Sequence, residues 1–161
     1  MLADATSETV WVHGHAGQLQ ASTGFAYERL GYFLRLKADM EAETWLHYAV
    51  PLALGLHRPV VTNVLVQLRT WATGEIGSVH LWDGSVQLAA ANAAFSATVK
   101  GPVPRRGEPD RLEVYVSGLA SDVPISRAVG VSLLVRAYKT RDAVAIAGVG
   151  VTTSTRRRAA S

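Results

Sequence analysis

Three pairs of a tryptophan and a histidine, each two residues apart, are the residues of this sequence best suited to bind or to react with a ligand. They are Trp11/His13, Trp45/His47 and His80/Trp82. Residues i and i+2 of a β-strand point to the same face, so each of these Trp/His dyads predicts an indole beside an imidazole. An indole offers a flat apolar surface, and an imidazole can donate, accept or transfer a proton near neutral pH.

The residues that alternate with the dyads are apolar, which predicts that the dyads point away from a core. These alternating residues are Val10/Val12, Leu46/Tyr48 and Val79/Leu81. If the three strands share one sheet, they form one outward ligand-binding face of Trp11, His13, Trp45, His47, His80 and Trp82. An outward aromatic patch of this kind usually marks a binding or assembly surface. The alternative is that both faces are covered and the dyads are packing residues with satisfied N–H groups.

Acid–base catalysis is a second possibility for the same region, because one or two well-placed proton-transfer groups are enough for it. The candidate catalytic residues are His47, His80, Asp83 and Tyr48. Their Trp, Tyr and Leu neighbours favour an apolar small molecule as substrate. The alternative function is therefore a small enzyme of the lyase, hydrolase or cyclase type, with or without a metal.

A metal site is the sharper form of that alternative. His13 and His15 share the spacing of cupin-type metal ligands, and His47 or His80 could supply a third imidazole to a divalent ion. The cupin spacing also needs a glutamate a few residues downstream, where only Gln18 and Gln20 stand. The sequence therefore predicts no cofactor, and a divalent metal held by His13, His15 and His47 is the alternative.

Short alternating segments must position these residues. The runs within 43–84 read as three neighbouring strands, 9–21 as a hairpin, and 51–59 as a crossover between proline residues. Asp83-Gly84 is the strongest hairpin signal, 37–43 predicts a short helical or irregular connection, and 100–110 a long loop. Nine to ten short strands without a long helix predict an all-β fold, an antiparallel, jelly-roll-like β-sandwich, with a closed β-barrel as the alternative.

Length and composition predict one domain with a sizeable core. The chain has 161 residues, 48% of them hydrophobic and 18% charged. We expect a frayed N-terminus at 1–8, a β-sandwich domain at 9–153, and a basic disordered tail at 154–161. The absence of cysteine excludes disulfides and thiol catalysis.

Charge and hydropathy indicate which partners to expect. Three tail arginines account for the net charge of +3, so a nucleic-acid partner is not expected. Neither a secretory leader nor a membrane span is evident, which predicts a cytoplasmic protein without a membrane partner. The leading hypothesis is a binding or self-assembly module, homo-oligomeric through an apolar sheet face, with an apolar small molecule as a possible ligand.

The sequence resembles an uncharacterised bacterial family of small all-β proteins over about residues 10–150. The matching segments are His13-Gly14, Trp45-Leu46-His47 with Pro51, Val79–Gly84, Val129–Leu133 and Ala147-Gly148-Val149. It departs from the family pattern at 92–110. The resemblance implies an all-β fold and directs attention to His13, His47 and His80, and it implies no particular reaction.

Overall fold

Strands form nearly all of the regular structure that the computed structural model describes, which covers residues 6–21, 24–53, 58–69, 74–91, 112–116, 119–140 and 143–155. A 3₁₀ turn at Gly14–Ala16 is the one helical element in these ranges. The strands are β1 (Thr6–His13), β2 (Gln18–Leu19), β3 (Phe25–Leu30), β4 (Phe33–Ala38), β5 (Ala42–Val50), β6 (Val60–Arg69), β7 (Glu75–Asp83), β8 (Val86–Ala91), β9 (Leu112–Val116), β10 (Val129–Ala137) and β11 (Ala143–Thr155).

These strands form two antiparallel sheets. The first sheet has the order β3-β4-β11-β6-β9, and β1 also pairs with β11. The second sheet has the order β2-β5-β10-β7-β8. The predicted antiparallel β-sandwich is therefore confirmed, and the two separate sheets exclude the closed barrel for the described strands.

The core lies between the sheets, and the period of two explains which side chains fill it. In β5, Leu46 and Tyr48 are buried while His47 between them is exposed. In β7, Val79 and Leu81 are completely buried and alternate with the partly exposed His80. Burying a side chain of this size contributes about 1.5–3 kcal/mol. The predicted inward faces of these two strands are thus confirmed.

The predicted hairpin at 9–21 is wrong, because β1 and β2 belong to different sheets. The chain crosses between them at Gly14, where an added Cβ would lie 1.7 Å from the carbonyl oxygen of Ile146. The Tyr48 hydroxyl donates a hydrogen bond to the Gly14 carbonyl oxygen at 3.1 Å, and a Cβ on Gly17 would meet the Tyr48 ring at 2.6 Å. Close packing against β11 and Tyr48 therefore directs the chain across the sandwich instead of back along β1.

The connections between β4 and β8 agree only in part with the predictions from the sequence. No helix forms at 37–43, because β4 continues to Ala38 and β5 begins at Ala42, so only the irregular connection remains. The three strands of 43–84 are not neighbours: β6 lies in the first sheet, and β10 separates β5 from β7. The crossover after β5 is confirmed, as is the β7–β8 hairpin, in which Gly84 has φ +61°.

The ends of the described chain are more ordered than the sequence predicts. Thr6–Glu8, expected to be frayed, pair with Thr155–Thr153, so strand pairing includes part of both predicted tails. Residues 1–5 and 156–161 and the loop at 100–110 lie outside the described residues. No helix in the described ranges is long and apolar enough to span a membrane.

Candidate ligand-binding face

The outer face of the second sheet brings two of the three Trp/His dyads together. Ser132 of β10 pairs with His47 of β5 on one side and with His80 of β7 on the other, which forms one row across three strands. In the adjacent rows Trp45 pairs with Leu134, and Trp82 pairs with Gly130. The dyads therefore meet across β10, a strand whose contribution the sequence did not reveal.

Trp45, His80 and Trp82 form what we call the aromatic shelf. The ring centroids of Trp45 and His80 are 4.5 Å apart with their planes tilted by 43°. Those of His80 and Trp82 are 6.2 Å apart at 54°. Both separations are typical of contacting aromatic rings, so the imidazole of His80 is held between two indoles.

Imidazole, hydroxyl and amide groups border the shelf. His47 Nδ1 lies 2.8 Å from the Ser132 hydroxyl oxygen, so each fixes the orientation of the other. A depression of about 380 Å³ is lined by Gln20, Trp45, His47, His80, Trp82, Gln87 and Ser132. A second depression of about 370 Å³ shares His47, Trp82 and Ser132 with the first and continues towards Gly84 and Ser85. None of the described residues that line either depression is an Asp, Glu, Lys or Arg.

The electrostatics of this face favour neutral groups. Burial lowers the pKa of His80 below its ordinary value, which favours the uncharged ring at neutral pH. At one end of the same sheet three charged side chains are paired with one another: Arg136 lies 3.3 Å from the Glu43 carboxylate and 3.7 Å from that of Glu75. Trp82 contributes a buried indole N–H that has no acceptor among the described residues.

Asp83 holds the loop beside these depressions and is not part of the shelf. Its carboxylate is 7% exposed and accepts hydrogen bonds from Ser126 N (3.0 Å), Ser126 Oγ (2.7 Å), Arg127 N (2.8 Å) and Ala128 N (3.1 Å). Burial raises the pKa of Asp83, and these hydrogen bonds outweigh burial, so the pKa lies below its ordinary value. The role supported by this geometry is structural, as a clamp between β7 and the loop before β10.

The remaining candidates are placed elsewhere. Trp11 and His13 are on β1 in the first sheet, so the expectation of one face carrying all three dyads is wrong. Tyr48 points into the core, where burial raises its pKa, and therefore it is not beside His47 on the outer face. The imidazoles of His13 and His15 stack with centroids 5.6 Å apart.

The three histidines proposed for a metal are not brought together. His13 lies on β1 of the first sheet and His15 in the following 3₁₀ turn, whereas His47 lies on the outer face of the second sheet. Within the described ranges no group of three His, Asp or Glu side chains is placed to hold a metal ion.

Gly130, Ser132, Gln20 and Gln87 are the residues of this face that the sequence interpretation missed. A glycine inside an alternating strand is a sign that another group approaches the backbone closely. Gly130 faces Trp82, but a Cβ there would lie 3.4 Å from the Cβ of Trp82, which is an ordinary contact. The glycine alone therefore did not reveal β10 as the strand between the dyads.

Comparison with known proteins shows similarity of fold alone. No protein-family model matches the sequence, and no curated protein matches it. The chain is similar in structure to the C-terminal CBM6 of LamC, a marine laminarinase from Zobellia galactanivorans, with 14% identity over 90% of this chain and 99% of that chain and a TM-score of 0.46. It is also similar to CBM29_1, a family 29 carbohydrate-binding module from Piromyces equi, with 11% identity over 93% and 91% of the two chains and a TM-score of 0.46.

These carbohydrate-binding modules are β-sandwiches, as this chain is, and at such identities nothing about the ligand follows from the likeness. The all-β fold that the sequence resemblance implied is confirmed by the two antiparallel sheets of this chain. The particular bacterial family stays a prediction.

Proposed function

We propose that this chain is a β-sandwich binding module that holds a neutral carbohydrate on the outer face of its second sheet. The observation that carries the proposal is the aromatic shelf of Trp45, His80 and Trp82, bordered by amide, hydroxyl and imidazole groups. No Asp, Glu, Lys or Arg stands among the described residues that line it.

The chemistry of a sugar ring complements this arrangement. A pyranose has a flat face of C–H groups, which can lie on an indole, and a rim of hydroxyl groups, which need hydrogen-bond partners. Gln20 and Gln87 each offer donors and an acceptor, and a neutral imidazole offers one of each. A ligand with ionised groups would be desolvated here without a countercharge, which is costly. The chemistry of the face therefore favours a neutral sugar over an acidic one.

A hydrolase is the second candidate, because the 2.8 Å contact between His47 Nδ1 and Ser132 Oγ has the geometry of a base beside a nucleophile. Two features weigh against it. Ser132 is only 4% exposed, and the described residues that line the depression include no carboxylate to orient His47. We expect no labelling of the chain by a fluorophosphonate probe, and labelling that Ser132→Ala abolishes would favour the hydrolase instead.

Affinity gel electrophoresis tests the carbohydrate proposal. Gels containing laminarin, hydroxyethylcellulose, xylan or galactomannan are compared with gels containing the acidic polymer polygalacturonate. We expect at least one neutral polysaccharide to retard the chain and polygalacturonate not to retard it. Trp45→Ala and Trp82→Ala should each weaken that retardation by about 30-fold, the effect of losing a contact of about 2 kcal/mol.

Tyr32→Ala is the matched control, because Tyr32 is an exposed aromatic residue at the turn between β3 and β4 of the first sheet. It should bind as the unmodified chain does. The proposal is overturned if none of the neutral polymers retards the chain, or if the Trp45→Ala and Trp82→Ala variants are retarded as strongly as the unmodified chain. Self-association through a sheet face and a cytoplasmic location stay predictions.

A further inference from the structure

The third dyad presents a separate aromatic surface on the opposite side of the sandwich. Trp11 lies on β1 of the first sheet and is 43% exposed, although it is an indole in the interior of a paired strand. Its neighbours Val10 and Val12 are partly buried and pack against the core. The side chain of Trp11 therefore points outward from the first sheet.

Two glycines of β11 hold this indole flat. A Cβ added to Gly150, the pairing partner of Trp11, would lie 2.8, 2.9 and 3.0 Å from the ring atoms Cδ2, Cε3 and Cε2. These adjacent ring atoms are nearly equidistant from one point, which places Gly150 beneath the face of the indole and not at its edge. A Cβ on Gly148 would also lie 3.3 Å from Trp11 Cε3. One face of the ring is thus fixed on the strand, and the other is open to solvent.

Neutral residues form the rows on both sides of this indole. One row is Thr9–Thr152–Asn63, in which the two threonine hydroxyl oxygens are 2.8 Å apart. The other row is His13–Gly148–Gln67. Arg69 lies two residues beyond Gln67 on the same face of β6, and its guanidinium is placed over the Phe33 ring, 4.1 Å from the ring centroid. Arg35 of β4 pairs with Ala145, five residues along β11 from Gly150, or about 16 Å at the usual rise of a strand.

A related pairing exists on the second sheet, where Trp82 pairs with Gly130 and His80 lies two residues away. There an added Cβ on Gly130 would lie 3.4 Å from the Trp82 Cβ and 3.9 Å from the nearest ring atoms, so the indole is not seated on the glycine as Trp11 is. A tryptophan opposite a glycine can be explained by backbone shielding alone, since aromatic residues rescue glycines in sheets. Shielding, however, does not require flanking amide and hydroxyl groups on both sides. A tryptophan opposite a glycine, a histidine two residues away and neighbouring amide and hydroxyl groups occur on both sheets, which points to a shared type of ligand.

We infer that Trp11, fixed on Gly148 and Gly150, is a second carbohydrate-binding platform, and that the chain bridges two neutral glycan segments. This inference rests on the proposed function of the second sheet. The two sheets of a sandwich are packed about 10 Å apart, and these surfaces face in opposite directions. A single extended glycan cannot lie on both surfaces at once, so occupation of both joins two segments.

A bridging assay tests the inference. Agarose beads carry the polysaccharide that retards the chain most in the gel assay, and a fluorescein-labelled soluble form of the same polysaccharide is added. The unmodified chain should bind the beads and raise bead fluorescence at least tenfold over beads alone. Trp11→Ala should remain on the beads through the second sheet and raise the fluorescence no further than background.

Two more variants separate binding from shielding. Gly150→Ala keeps Trp11 and pushes its ring away from the strand, so it should lose bridging as Trp11→Ala does. Ser7→Ala, on the same face of β1, should bridge normally. A Trp11→Ala variant that bridges as well as the unmodified chain overturns the inference and leaves the proposed function standing. Failure of the unmodified chain to bind any bead overturns both.

Light scattering without polysaccharide completes the test. The unmodified chain and the Trp11→Ala variant should have the same mass. A lower mass for the variant identifies Trp11 as a contact between two copies, which also overturns the inference.

Discussion

The clamp formed by Asp83 gives the sharpest prediction of stability, because one buried carboxylate accepts four hydrogen bonds from three successive residues. In Asp83→Asn the side chain keeps one acceptor oxygen and gains an NH₂ group. That group can donate to Ser126 Oγ, but it then faces the Ser126 backbone N–H, which loses its acceptor. An unsatisfied buried donor costs about 1–3 kcal/mol of stability. The remaining hydrogen bonds also become weaker, because their acceptor is then a neutral amide and no longer a charged carboxylate. We expect a total loss of about 3 kcal/mol.

Urea unfolding at pH 7 measures this loss. With an m-value of about 2 kcal/mol per M, the unfolding midpoint of Asp83→Asn should fall by about 1.5 M. Asp122→Asn is the matched control, because Asp122 is an exposed carboxylate of the same loop. It should unfold within about 0.5 kcal/mol of the unmodified chain. Equal midpoints for the two variants would refute the account of the clamp.

The pH dependence provides an independent check on the same carboxylate. Because the folded-state pKa of Asp83 is lowered, its stabilising contribution is present above the unfolded-state value, near 3.9, and is lost as the pH falls through the folded-state pKa. The difference in stability between the unmodified chain and Asp83→Asn should therefore shrink as the pH falls below about 4. A difference that stays constant down to acid pH would contradict the assignment.

Three further predictions follow from packing and burial. Gly14→Ala should lower the free energy of unfolding measured by calorimetry by more than about 3 kcal/mol, because its Cβ would overlap the Ile146 carbonyl oxygen. Gly31→Ala, at φ +61° in open space, should lower it by about 1 kcal/mol. Equal losses for the two variants would contradict the crossing described at Gly14. Tyr48→Phe should lower the free energy of unfolding in urea by about 1 kcal/mol, because it loses the hydrogen bond to Gly14. An unchanged unfolding midpoint would show that this hydrogen bond contributes nothing. An NMR titration should give His80 a pKa below 6.5 in the folded chain. Because the unfolded chain binds the proton more readily, stability should be lost as the pH falls from 6.5 through the folded-state pKa of His80. The same loss of stability in a His80→Gln variant would assign that loss to another group.

The alternation of apolar residues was sufficient to predict which face of a strand is buried. Leu46 and Tyr48 point inward and His47 outward because successive side chains of a strand alternate whatever the strand pairs with. For the same reason an antiparallel sandwich could be expected from strand lengths and turns alone. These features depend on a few neighbouring residues, which the sequence displays directly.

The choice of sheet for each strand could not be predicted in this way. Trp11 and Trp45 lie on equally alternating strands, yet β1 pairs with β11 and β5 with β10, partners about 80 residues or more distant along the chain. The close packing of Gly14 against the Ile146 carbonyl oxygen directs the chain from the first sheet to the second, and no local sequence pattern reveals that packing. Likewise, Ser132 joins His47 to His80 only because β10 lies between their strands.

Two different strands pair with the same edge of β11. Ala143–Ile146 pair with β4, and Gly148–Thr155 pair with β1 along the same edge. Among the described strands, β1 forms a ladder with β11 alone. A chain that released β1 would therefore uncover an eight-residue edge with Val149 and Val151 beside it, which is the kind of open edge on which a second chain can add a strand. Two copies could exchange their β1 strands and each restore a complete sandwich, so the N-terminal strand is the natural point at which a monomer of this fold would convert into a strand-swapped dimer.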